Sequence, residues 1–260
     1  MNILDTIIAK KRLEVAERKK NVSISQLEKT VFFKKPVLSL KKFLLDETKT
    51  GIIAEFKRKS PSKGWINAEA DVDIVTTAYA NGGASGLSVL TDNEFFGGSI
   101  EDLQKARANA LPILRKDFMI DEYQLIEAKS IGADVILLIA ANLSPAEVKQ
   151  LAATAKKLGL EVLLEIHNEE ELGHICDAVD IVGVNNRNLK TFEVSIKTSI
   201  DLSAKIPADK LKISESGISK VENIVELKRH GYKGFLIGEN FMKTPDPSIA
   251  FTDFVKQLKS

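Results

Sequence analysis

The sequence predicts an α/β fold, namely a (β/α)8 TIM barrel with a helical N-terminal extension. From Gly51 onward, short apolar runs alternate with amphipathic segments that carry helix-start signals. The runs, such as 135–140, are almost continuously apolar, which is typical of parallel strands covered on both faces. Eight such units in roughly 210 residues match a closed barrel, which usually has about 250 residues with extensions. An open doubly wound sheet is the structural alternative.

The predicted strands are the apolar runs 52–56, 87–90, 112–114, 135–140, 162–166, 181–184, 211–213 and 235–237. No Gly-x-Gly-x-x-Gly motif follows the first run, which argues against a dinucleotide-binding sheet. Helix starts between the runs are indicated by Asp71, Ser99, Asp121, Ser144, Asn168, Thr198 and Ser219. Glycines just before the next strands are typical of helix ends, and they are Gly82, Gly83, Gly132, Gly159 and Gly231.

Residues 2–47 carry helical signals only, beginning with an apolar stripe at Ile3, Leu4, Ile7 and Ile8. Lys and Glu interrupt this stripe before a signal-peptide core or a membrane span is reached. We therefore expect no membrane partner and a single domain over residues 1–260, with residues 1–47 as an extension before the first strand.

The charge composition and the cysteine content of the chain indicate which kinds of partner, metal site and compartment to expect. The chain has 37 Lys and Arg residues against 36 Asp and Glu, so no basic excess argues for nucleic acid. Cys176, placed inside a predicted helix, is the single cysteine, and no Cys/His spacing resembles a zinc site. These features predict a cytoplasmic protein without a metal. We expect a monomer.

Polar residues stand where several predicted strands end. Side chains alternate along a strand, so Glu55 and Lys57 share a face with Ile53. Lys116 follows the third run, and Glu165 lies within the fifth. In a (β/α)8 barrel the chemistry is at the carboxyl ends of the strands. Titratable groups that converge there favour catalysis over structural ion pairs, which remain the alternative.

The last three runs end in Gly183-Val184-Asn185-Asn186-Arg187, Ser214-Glu215-Ser216-Gly217 and Gly238-Glu239-Asn240. Barrels of this kind often bind phosphate after strands seven and eight, on backbone N–H groups. The alternative is two ordinary strand-to-helix turns. His167 could lie near the mouth, but a structural role is favoured for it.

At these positions the sequence resembles the indole-3-glycerol phosphate synthases, (β/α)8 enzymes of tryptophan biosynthesis. The resemblance spans nearly the whole chain and includes Ala-Glu-Phe-Lys-Arg-Lys-Ser-Pro-Ser at 54–62 and Ser-Glu-Ser-Gly-Ile at 214–218. Further matching segments are 87–91, 95–99, 114–118, 164–166, 183–189 and 235–238. The resemblance implies that residues 1–47 lie over the barrel mouth.

The resemblance also implies ring closure of 1-(2-carboxyphenylamino)-1-deoxyribulose 5-phosphate with loss of CO₂ and water, and no cofactor or metal. The matching catalytic residues are Glu55, Lys57, Lys116, Glu165, Asn185 and Ser216. In the family's pattern Lys116 is the general acid, placed by Glu55 and Glu165, while Glu165 and Lys57 serve the later dehydration.

The resemblance further implies a phosphate end at Ser60, Lys57, Gly217, Gly238 and Glu239. Phe96 and Phe118 match the slot for the anthranilate ring, and Arg187 matches a contact to the substrate carboxylate.

One position departs from many relatives, because Glu239 stands where a serine is common. We expect its backbone N–H to face the phosphate and its carboxylate to turn away. Two alternatives stay open: a phosphoribosylanthranilate isomerase, whose catalytic cysteine after the first strand is replaced here by Glu55 and Lys57, and a catalytically inactive ligand-binding barrel.

Overall fold

The computed structural model describes residues 3–189 and 191–260, so residues 1 and 2 of the predicted extension lie outside it. Eight parallel strands close into a barrel in sequence order, with the first strand paired to both the second and the last. They are β1 Ile52–Phe56, β2 Gly86–Leu90, β3 Ile113–Lys116, β4 Val135–Ile139, β5 Glu161–Ile166, β6 Ile181–Asn185, β7 Leu211–Glu215 and β8 Gly234–Ile237. The predicted barrel is confirmed.

Helices precede, surround and follow the strands. They are α1 Ile3–Asn21, α2 Ile24–Leu27, α3 Leu40–Leu45, α4 Val72–Asn81, α5 Asn93–Phe96, α6 Ile100–Ala106, α7 Glu122–Ile131, α8 Pro145–Lys157, α9 Lys197–Leu202, α10 Val221–Arg229, α11 Glu239–Met242 and α12 Pro247–Lys259. Short 3₁₀ helices lie at Ala140–Asn142 and Glu170–His174, and Lys59–Ser60 pairs with Gly64–Trp65 as a small hairpin. Within the described part of the chain, no helix has the length and apolar character needed to cross a bilayer.

Four of the seven predicted helix starts are confirmed as N-caps. The side chains of Asp71, Ser99, Asp121 and Ser144 each accept a backbone N–H of the following helix. The helix predicted to start at Thr198 begins one residue earlier, at Lys197, and the 3₁₀ helix after Asn168 begins at Glu170, without a side-chain hydrogen bond from its N-cap residue Glu169. The prediction at Ser219 is wrong, because α10 begins after Lys220 and the Asn223 side chain accepts the N–H groups of both preceding residues. The helix predicted around Cys176 is also wrong, since the 3₁₀ helix ends before that residue.

Strand alternation produces two apolar layers. Inward side chains such as Ile53, Leu137 and Leu163 fill the barrel, while outward ones such as Ala54 and Val162 pack under the helices. The barrel is therefore a packed core with a floor beneath its mouth, and not a pore.

The N-terminal extension reaches both ends of the barrel. Ile3, Leu4 and Ile7 of α1 line the cavity at the mouth. In contrast, Leu40 and Leu44 of α3 belong to the barrel's interior cluster.

Two glycines mark where α3 sits. A Cβ on Gly86 would come within 2.6 Å of Leu40 Cδ1, and one on Gly234 within 3.1 Å of Leu44 Cδ2. Both glycines begin a strand, so α3 closes the end opposite the mouth. The prediction that the whole extension lies over the mouth is therefore wrong for α3. The error arose because a helical apolar pattern shows that a face is buried, but not against what.

Candidate active site

Charged side chains meet above the floor of the barrel mouth. Alternation places Glu55 and Lys57 on the inward face of β1 and just beyond it, and their Oε1 and Nζ atoms are 2.6 Å apart. Lys116 ends β3, and its Nζ lies 2.8 Å from Glu165 Oε2 on β5. The same Nζ lies 3.2 Å from Glu215 Oε2 on β7. One ammonium thus stands between two carboxylates from different strands.

Burial and charge set the protonation of this group. Burial alone would lower the pKa of Lys116, but Glu165, Glu215 and Glu55 together raise it above its usual value. Lys116 is therefore an ammonium at neutral pH.

The two carboxylates titrate apart. Burial raises the pKa of Glu215 to about 7, because Lys116 offsets only part of the desolvation. For Glu165, burial acts in the same direction, but Lys116 and His167 outweigh it and hold its pKa well below the usual range. Neighbouring groups with separated pKa values can be in different protonation states at one pH. Near neutral pH, Glu215 can therefore carry a proton while Glu165 is ionised.

The cavity above these groups has two adjoining lobes. The first, of about 180 Å³, is lined by apolar side chains that include Phe96 and Phe118, and we call it the aromatic lobe. The second, of about 250 Å³, is lined by residues 216–219 and 236–240, and we call it the glycine lobe. Residues lining both lobes are Glu55, Lys57, Arg187, Ser216, Leu236 and Glu239.

The aromatic lobe is a slot for a flat apolar group. The ring centroids of Phe96 and Phe118 are 6.0 Å apart with their planes inclined at 41°. Leu137 and Ile139 form its floor, and α1 contributes to its lining from above. Aromatic and aliphatic walls of this kind bind a planar ring by burying its surface.

The glycine lobe brings backbone close to any ligand. Gly217 has a φ of +73°, and Ser216 before it adopts the same left-handed region with a φ of +66°. Residues other than glycine rarely adopt this backbone conformation unless neighbouring groups hold it in place. Asn186 provides support here, because its Nδ2 donates to the Ser216 carbonyl at 3.0 Å and to Ser214 Oγ at 2.9 Å.

Position 238 has no room for a side chain and requires glycine, since a Cβ there would lie 2.5 Å from Glu55 Oε1. This glycine is the N-cap residue of α11, so the backbone of Gly238 and Glu239 forms one wall of the glycine lobe.

These features can be compared with known proteins. The family model described as indole-3-glycerol phosphate synthase matches residues 4–254. The chain belongs to this family.

Individual relatives agree with the family match. An indole-3-glycerol phosphate synthase from Bacteroides thetaiotaomicron is 49% identical over 259 residues, covering 99% of both chains. The Polaromonas protein of that description is 44% identical, covering 96% of both chains, and the Bordetella pertussis protein is 41% identical, covering 98% of this chain and 99% of its own. The function predicted from the resemblance is therefore confirmed: a carboxy-lyase reaction of tryptophan biosynthesis on a phosphorylated substrate. The isomerase alternative is wrong.

Solved structures with lower identity share the barrel fold alone. A tryptophan synthase α-subunit from Pyrococcus furiosus superposes with a TM-score of 0.61 at 18% identity, covering 81% of this chain and 98% of that chain. A mandelate oxidase superposes with a TM-score of 0.60 at 14% identity, covering 80% of this chain and 72% of that chain.

In this indole-3-glycerol phosphate synthase fold, every predicted site residue lines one lobe or both. Three details differ from expectation. Glu55 hydrogen bonds to Lys57 and not to Lys116, and Lys116 contacts Glu215 in addition to the expected Glu165. Ser60, expected at the phosphate end, lines the aromatic lobe.

The third difference concerns Glu239. Its carboxylate does not turn away from the mouth, because Glu239 Oε2 lies 3.4 Å from the Arg187 guanidinium and both residues line the two lobes. Arg187 is in turn tied to Asn185, whose Oδ1 accepts the Arg187 backbone N–H at 3.0 Å.

Sequence reasoning missed the contribution of Glu215 and favoured a structural role for His167. The signal for Glu215 was present, since Leu211, Ile213 and Glu215 alternate onto the inward face of β7. No comparable spacing singles out His167, which lies 3.3 Å from Glu165.

A buried ion cluster anchors α1 above the mouth. Lys11 Nζ lies 2.8 Å from Asp117, 2.9 Å from Asp92 and 2.8 Å from Glu14. Only 1% of the Lys11 side chain is exposed. Asp117 also contacts the fully buried Arg115, and it directly follows Lys116 in the chain. The anchor therefore joins the strand end that carries the central lysine.

Metal ligation has no evident place in the described part of the chain. Residues 3–189 and 191–260 contain no cluster of three or more His, Cys, Asp or Glu side chains arranged to hold a metal ion. The arrangement instead provides proton donors, proton acceptors and a divided cavity.

Proposed function

We propose that Lys116 is the general acid of ring closure, acting on a substrate that spans both lobes. The supporting observation is the position of its Nζ between Glu165 and Glu215 beneath the cavity. The anthranilate ring occupies the aromatic lobe and the phosphate the glycine lobe. The ribulose carbonyl then lies between them, near the charged groups.

In the first step, the anthranilate carbon that carries the carboxylate attacks the ribulose carbonyl carbon. A carbon–carbon bond forms as the carbonyl π electrons move to oxygen, which takes a proton from Lys116 and becomes a hydroxyl. The carbon–carboxylate bond then breaks, its electrons restore the aromatic ring, and CO₂ leaves. This step needs no further catalytic group.

Lys116 must regain its proton after this transfer. Glu215 supports that return, because it lies 3.2 Å away and its pKa of about 7 lets it carry a proton near neutral pH. Positioned proton transfer of this kind is worth about 10²–10⁴-fold in rate.

Dehydration then completes the indole. The new hydroxyl leaves as water after receiving a proton, and a proton leaves the adjacent ring carbon as the double bond forms. We assign proton donation to Lys57, held by Glu55 at 2.6 Å, and proton acceptance to the ionised Glu165.

Binding of the substrate's polar groups is shared around the mouth. Arg187 approaches the anthranilate carboxylate, and Asn185 holds Arg187 through its backbone N–H. The glycine lobe receives the phosphate on the backbone of Gly217, Gly238 and Glu239. Ser216 completes the polar wall.

The test is Lys116→Met, which replaces an ammonium by an apolar chain of similar length. We expect kcat to fall at least 10²-fold with a smaller change in KM, measured by the fluorescence of the indole product. Lys212→Met is the matched control, because Lys212 also lies on a barrel strand but its Nζ contacts the carbonyl oxygens of Ser203 and His230. A Lys116 variant that keeps more than about a tenth of kcat would contradict the assignment.

We also propose that residues 1–260 act as one domain and as a cytoplasmic monomer. The lining of both lobes by a single chain supports the monomer, and the free thiol of Cys176 suits a reducing compartment. Light scattering should give a mass near 28.6 kDa, and calorimetry a single unfolding transition.

A further inference from the structure

A row of alternating charges continues behind Glu165, away from the cavity. His167 Nε2 lies 3.3 Å from Glu165 Oε1, and His167 Nδ1 lies 3.3 Å from Glu171 Oε2. The other carboxylate oxygen of Glu165 contacts Lys116. Glu171, His167, Glu165 and Lys116 therefore form one continuous line of opposite charges that ends at the mouth.

The line is enclosed and held by the chain around it. Only 8% of the His167 side chain is exposed, against 13% for Glu171 and 5% for Glu165. The His167 backbone N–H donates to Glu171 Oε2 at 2.6 Å, and Asn168 Nδ2 donates to the other oxygen at 3.2 Å. These two hydrogen bonds therefore hold the Glu171 carboxylate in the position where it contacts the imidazole.

His167 is cationic in this setting. Burial would lower its pKa, but Glu165 and Glu171 raise it to about 10. Among the described residues, these two carboxylates are the charged groups that act on the imidazole. Glu165 itself faces Lys116 from β3, Glu215 from β7 and His167 from its own strand end.

We propose that His167 is a positioning residue for the reaction: its imidazolium holds Glu165 ionised and aimed at Lys116, and Glu171 keeps that imidazolium charged. This rests on the proposed roles of Lys116 and Glu165. His167 is absent from the described residues that line either lobe, so it acts through Glu165 and not on the substrate.

The perturbation is His167→Gln, which removes the cation and keeps a polar side chain of similar reach. Loss of a positive charge raises the pKa of a neighbouring carboxyl group, so the acid limb of the kcat–pH profile moves to higher pH. We expect a shift of about one pH unit or more and a fall in kcat at pH 7 of about tenfold. KM should stay within about twofold.

His174→Gln is the matched control. His174 ends the 3₁₀ helix that also holds Glu171, and its ring contacts the carbonyl oxygens of Glu171 and Leu143. A variant that merely loosens this segment should resemble the control, with an unmoved acid limb. An unshifted limb in His167→Gln, or an equal shift in His174→Gln, would overturn the proposal.

If His167→Gln does not fold, Glu171→Gln replaces it, because the ring stays in place while the carboxylate that keeps it charged is lost. We expect a smaller shift of the acid limb in the same direction, and an unchanged profile overturns the proposal. Failure here is distinct from failure of the proposed function, since Lys116→Met tests that function independently of the imidazole.

Discussion

Replacing Lys11 by Met should destabilise the protein far more than a lysine substitution on a helix normally does. Lys11 is 1% exposed and lies within 2.9 Å of three carboxylates, so the variant leaves Asp92 buried without a cation and leaves Asp117 with Arg115 alone. Removing one partner of a buried ion pair typically costs about 3–5 kcal/mol. With an unfolding entropy of about 2.1 cal/mol/K per residue over 260 residues, this lowers Tm by about 5–9 °C.

Calorimetry at pH 7 measures the effect, and Lys10→Met is its control. Lys10 is 55% exposed and its carboxylate partner is 3.6 Å away, so its loss should change stability by no more than about 0.5 kcal/mol. Adding Asp92→Asn to Lys11→Met should recover part of the loss, because it removes a stranded charge. A Tm for Lys11→Met within one or two degrees of the Lys10 variant would refute the reasoning. KM should also rise, since α1 covers the aromatic lobe.

The remaining predictions concern the glycine lobe and the extension. Glu239→Gln should change KM by less than about fivefold, a difference below roughly 1 kcal/mol, because the backbone donor remains. Gly238→Val should be much more harmful, since its Cβ would lie 2.5 Å from Glu55 Oε1; equal KM effects would mean that the phosphate is misplaced. Deleting residues 1–21 should raise KM and leave the barrel folded by circular dichroism. Deleting the chain up to Asp46 should also lower Tm markedly because it removes α3 from the core, and equal melting temperatures for the two truncations would contradict that packing.

The barrel and much of its mouth were predictable because strand alternation is a local property. Once 52–56 is assigned as a strand, Ile53 and Glu55 must share a face, and the structure agrees. The same rule places Lys116 and Glu165 at the mouth. Predicting these positions required only the two-residue alternation along a strand and the rule that parallel strands end at the same edge of the barrel.

Other features depend on distant partners that leave no local trace. The position of α3 depends on Gly86 and Gly234, which lie far along the chain. Glu215 was overlooked because Lys212 and Ser214 break the apolar run before it, so the predicted strand ended at residue 213. His167 shows its role only when the turn brings Glu171 back to its ring.

The two ends of the extension also bear on how a newly made chain closes its barrel. Arg18 of α1 contacts Glu127, 109 residues later, so α1 can dock as soon as α7 has left the ribosome. The surface on which α3 packs is complete only much later, because it includes Gly234 at the start of the last strand. The two glycines that contact α3 lie on β2 and β8, the two strands that pair with β1. Although α3 is made before every strand, its burial is therefore completed only when the last strand arrives, and that burial favours closure of the barrel.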